Sequence, residues 1–93
     1  MNLLHSLIND NYNDFISFSS KIIKLDENIT WKIMTTICAE GDKYSKYLVI
    51  ILPMITDFHL LSLFEKICKK LNDSSHCHLL INERINNFYY SSV

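Results

Sequence analysis

The chain has 93 residues, of which 48% are hydrophobic and 20% charged, and its formal net charge is −1. These values argue against a second domain core, against disorder, and against the basic face that nucleic-acid binding normally needs. With one glycine and one proline, the turn residues of an all-β domain are missing, so residues 1–93 are predicted to form a single all-α domain whose polar turns use asparagine.

The opening "MNLLHSLINDNYND" has no basic start and no small-residue cleavage site, so it does not read as a signal peptide. A cytoplasmic protein is the expectation. Leu3, Leu4, Leu7 and Ile8 predict a first helix over about 2–9. Asn13 or Asp14 is placed to cap a second, about 14–24, with Phe15, Phe18 and Ile22 inward and Ile16 and Ile23 beside them. Asn28 is placed to cap a third, about 29–40, with Ile33, Met34, Ile37 and Cys38 inward and Gly41 at its stop.

The stretch "KYLVIILPMITDF", Lys46 to Phe58, is the most apolar. It is far shorter than the roughly 20 apolar residues a membrane-spanning helix needs. As a buried strand it has no partner of similar composition to satisfy its backbone. Tyr44, Tyr47, Leu48, Ile51 and Leu52 follow helical spacing, and Val49 and Ile50 cover the flanks. A central helix over about 42–52, buried nearly all round and stopped by Pro53, is therefore predicted.

Asp57 is placed to cap a fifth helix, about 58–71, with Leu60, Leu61, Phe64, Ile67, Cys68 and Leu71 inward. Asp73 or a following serine opens a sixth, about 76–90, with Cys77, Ile81, Ile85 and Phe88 on one face. Six short helices pair naturally as three antiparallel hairpins, in a bundle or a stack. The first hairpin has the polar-turn phase of an ankyrin-like unit. It lacks the threonine-proline opening and the turn glycine, and the pattern does not recur in register, so no family is assigned.

Candidate chemistry is sparse. Cys38, Cys68 and Cys77 form no framework and read as buried free thiols in a reducing compartment. His76, Cys77 and His78 are all possible metal ligands, but neighbours on a helix point about 100° apart and no second cluster exists. No cofactor or metal is expected, and no nucleophile elbow or phosphate loop suggests an enzyme. Lys66, Lys69 and Lys70 make a basic helix face, diluted by Glu65. Trp31 reads as a packing residue, and Tyr89 and Tyr90 as either a tail or a dimer contact, which leaves monomer and weak homodimer open.

The acidic residues carry more information. In a three-hairpin stack the turns between helices 1 and 2, 3 and 4, and 5 and 6 emerge at one end. They bring Asp10 and Asp14, Glu40 and Asp42, and Asp73, with Tyr12 and Tyr44 among them and Lys43 the nearest opposing charge. Helix capping accounts for Asp14, Asp42 and Asp73. It does not account for Asp10 or Glu40, which fall at helix C-termini, where a negative charge costs about 0.3–1 kcal/mol. A basic protein partner would account for both. The leading expectation is therefore a non-enzymatic domain that neutralises or escorts such a partner, most plausibly as an immunity or antitoxin-type inhibitor of a nuclease-like toxin. The alternatives are a small helical nucleic-acid-binding regulator, or an adaptor or effector domain of a virus or intracellular bacterium.

Overall fold

The computed structural model describes residues 2–71 and 76–91, with side chains to residue 87. It is all-α: α1 (Leu3–Ile8), α2 (Tyr12–Ser19), α3 (Glu27–Glu40), α4 (Ser45–Ile51), α5 (Phe58–Leu71) and α6 (His76–Ser91). Two 3₁₀ turns, Gly41–Tyr44 and Leu52–Met54, bracket α4. Among the described residues there is no strand, and no helix is long and apolar enough to cross a membrane.

The helices close a ring of contacts around one core. α1 packs on α2 and α3, α5 lies between α3 and α6, and α4 bridges α6 to α2. The hairpins α1–α2 and α5–α6 form as expected. The third pairing is looser, because α3 packs chiefly on α5 and meets α4 mainly through the turn between them. Phe15, Tyr47 and Phe64 are fully buried, with Leu7, Ile33, Leu48 and Leu61 among them. Burying such side chains stabilises by about 1.5–3 kcal/mol each.

Local chemistry moves several helix ends. α2 begins at Tyr12 because Asn11, not Asn13 or Asp14, is the cap. It stops at Ser19 instead of near 24, where the Ser19 and Ser20 hydroxyls donate to the carbonyls of Ile16 and Ser17. Such back-bonding competes with helix continuation. Ile23 consequently leaves the helix and is fully exposed. α3 begins two residues early, since Asp26 Oδ1 accepts from the Asn28 and Ile29 amides. Asp57 caps α5 as expected, accepting from the His59 and Leu60 amides.

The central segment is helical but divided. Gly41 sits at φ 75° and ψ −143°, a region that a Cβ closes to other residues. The chain then tightens into the 3₁₀ turn before α4 starts at Ser45. Tyr44, Tyr47, Leu48, Ile51 and Leu52 are buried as predicted, while Val49 is 61% exposed, so burial is not all round. Pro53 ends α4 at Ile51, and Arg84 of α6 donates to the Leu52 and Ile55 carbonyls beside it. Leu71 also faces outward, and Trp31 is exposed, with its ring 5.4 Å from that of Phe64.

The three thiols lie on three helices and are all buried. Cys38 Sγ donates weakly to the Phe64 carbonyl at 3.9 Å, and Cys77 Sγ to the Gly41 carbonyl at 3.3 Å. Burial pushes the Cys77 thiol up to about 11 and the Cys38 thiol further, with the neighbouring Cys68 adding to both.

Candidate functional site

The α1–α2 turn places Asp10 against α4. Asp10 is in the left-handed region, φ 52°, which short polar side chains tolerate best among non-glycine residues. Its Oδ1 accepts the Tyr47 hydroxyl at 2.6 Å, across 37 positions of sequence. A buried tyrosine ring whose hydroxyl must find an acceptor thus gives Asp10 a tertiary partner that its place at a helix end does not disclose. The same hydrogen bond, with Lys46 and Lys43 nearby, holds the Asp10 carboxyl below its ordinary value. Burial and the adjacent carboxylate push the Tyr47 phenol upward.

Around Tyr47 the rings stack edge to face. Tyr12, Phe15 and Tyr44 have centroids 5.5, 4.8 and 5.3 Å from it. Lys46 Nζ reaches 3.7 Å from Asp10 Oδ1 and lies over the Tyr12 and Tyr47 rings. Lys43 lies over Tyr44.

Asp10, Tyr12 and Tyr44 therefore meet at Tyr47. Asp14 stands on the first turn of α2, where Asn11 receives its amide at 3.1 Å and donates to its carboxylate at 3.0 Å. Asp42 does not cap its own helix: its Oδ1 accepts from the His76 amide at the start of α6. Glu40 is exposed as the last residue of α3. Asp73 lies outside the described residues. Tyr44 is only 6% exposed, so it offers a partner little surface, whereas Tyr12 is half-buried.

Sequence reasoning missed Lys46 and Tyr47. Lys46, not Lys43, pairs with Asp10, so the end is less acidic than its carboxylates alone imply. Periodicity alone places Tyr47 in the core. The need of its buried hydroxyl for an acceptor was the cue to look further.

Elsewhere, a groove of about 380 Å³ opens where α3 and α5 begin, lined by Ile23, Leu25, Met54, Leu60, Glu27 and Asp57 among others. It lies at the far end of α3 from Glu40, about 20 Å away along a helix of this length. His78 Nε2 stands 3.4 Å from Glu65 Oε1, pairing α6 with α5. Among the described residues no three His, Cys, Asp or Glu side chains gather as a metal site. Comparison with family models, with curated proteins and with solved structures returned no match.

Proposed function

We propose that the chain is a non-enzymatic protein-binding domain that receives a basic protein partner on the end carrying Asp10, Asp14, Glu40 and Asp42, in the manner of an immunity or antitoxin-type inhibitor of a cationic toxin. The observation that carries this reading is that three of these carboxylates are already tethered, by Tyr47, Asn11 and the His76 amide. Charges fixed before encounter lose little freedom on binding, and complementary charge speeds association. Asp10 and Glu40 are exposed besides, and Asp10 is held in its ionised form. The Cys38 and Cys77 thiols, kept protonated by burial, make poor nucleophiles, which weakens a cysteine-enzyme reading at those positions.

The test is capture of partners from the native host by the wild-type chain and by the double variant Asp10→Asn, Glu40→Lys. Asparagine keeps an acceptor oxygen for Tyr47 while removing the charge. A basic protein whose association rate falls at least about tenfold in the double variant, and falls with salt, is the expected result. Equal rates for both would end the proposal. A second reading, nucleic-acid binding, draws on Lys66, Lys69 and Lys70, all exposed on α5. Their place in its last turns also suits the helix dipole. Retention on heparin at low salt would favour it.

A further inference from the structure

The end of the molecule that carries Asp10 already holds a cation, and that cation is its own. Lys46 Nζ lies 3.7 Å from Asp10 Oδ1, 5.2 Å from the centre of the Tyr12 ring and 5.5 Å from that of Tyr47. A carboxylate with two aromatic faces around one ammonium is the arrangement by which proteins hold alkylammonium ligands.

The walls of this cage are anchored and its occupant is not. Tyr47 is locked between Phe15 and Tyr44 and bonded to Asp10. Tyr12 is fixed in the first turn of α2, behind the Asn11 cap. Lys46 reaches the cage on a flexible four-carbon stem, and its side chain is 48% exposed. Exposed ion pairs and cation–π contacts are individually weak, so a second ammonium arriving from solvent can replace the first without breaking any other bond.

We propose that Asp10 and Tyr12, backed by the buried Tyr47, form a receptor for a lysine ammonium of the partner, and that Lys46 is the internal occupant which the incoming lysine displaces. The proposal rests on the reading of a basic partner given above. In the free protein Lys46 screens Asp10 and fills the cage. On association it swings outward and its charge is released to solvent.

The experiment titrates the full chain with Nα-acetyl-lysine methylamide, whose ε-ammonium is free, and follows the Tyr12 ring protons by NMR. Lys46→Met empties the cage and is expected to tighten apparent binding about fivefold over wild type, with shifts centred on Tyr12 and Asp10. Adding Asp10→Asn to that variant is expected to abolish the response, and the neutral norleucine analogue is expected to give none. Equal titrations of wild type and Lys46→Met, or an equal response to the norleucine analogue, would overturn the cage. A second measurement needs no variant. In wild type the Lys46 ε-methylene protons should be moved upfield by the two rings and return toward free-lysine values as the probe is added; free-lysine values from the outset would overturn the proposal. The two readings fail separately. Probe binding without capture of a basic protein sinks only the partner, and a partner bound equally by wild type and Asp10→Asn sinks only the cage.

Discussion

The two ends of the α3–α5 pair tie down their aspartates differently. At the starts, Asp26 and Asp57 each accept amides two and three residues ahead in their own helix. At the other end, Asp10 reaches Tyr47 and Asp42 reaches His76, 37 and 34 positions away. The first kind of bond forms as soon as its helix forms. The second kind exists only when the chain has closed around its core, so it reports on tertiary assembly.

The largest test of that contrast is Tyr47→Ala. It removes the ring that Tyr12, Phe15 and Tyr44 pack on and the donor to Asp10, and should cost about 3–5 kcal/mol in urea denaturation. That is enough to unfold a domain whose total stability is of order 5–15 kcal/mol when it lies at the lower end.

The caps come next. Asp26→Ala, Asp57→Ala and Asp42→Ala should each cost about 1 kcal/mol. Hydrogen exchange separates them: the first two loosen the first turn of their own helix, while Asp42→Ala frees the first turn of α6.

Tyr47→Phe keeps the ring and deletes the long-range hydrogen bond, so its cost is smaller than that of Tyr47→Ala and depends on pH. The Asp10 carboxyl titrates below its ordinary 3.8 in the native state, so the folded protein binds fewer protons than the unfolded chain just below that value. Stability from this pair is therefore full above about pH 4 and lost as pH falls through the lowered native value. Denaturation midpoints of wild type and Tyr47→Phe, followed from about pH 5 to about pH 2, should converge with acid. If their difference stays constant, the bond does not carry that pH dependence.

The smallest effect is at α4's outer face. Val49→Lys should shift stability by less than about 0.5 kcal/mol, since Val49 is exposed.

The same contrast explains what was legible beforehand. Among the described residues, helical periodicity identifies the six α-helices and most of the core, though not the two 3₁₀ turns around α4, because apolar spacing reflects burial directly. The Asp57 cap was read correctly from one aspartate before an apolar run. The "NDNYND" run offers several equivalent caps, so the predicted start of α2 is misplaced, and the hydroxyls of Ser19 and Ser20 end it early. Val49 and Leu71 looked buried because hydrophobicity does not say which side of a crowded helix faces a neighbour. Asp10 stands out as unexplained by local capping, and the structure gives it partners within the chain. Its actual bonds to Tyr47 and Lys46 span the α1–α2 turn and α4, and no local pattern encodes such a distance.

Cys38, Cys68 and Cys77 sit one to a helix on α3, α5 and α6, sealed from solvent. The protein thus carries an intrinsic gauge of its own breathing. A slow alkylating reagent marks each sulfur only while the packing around it is parted. If the three helices separate as one cooperative unit, the sulfurs will be modified in step; if α6 peels away first, Cys77 will run ahead of the other two.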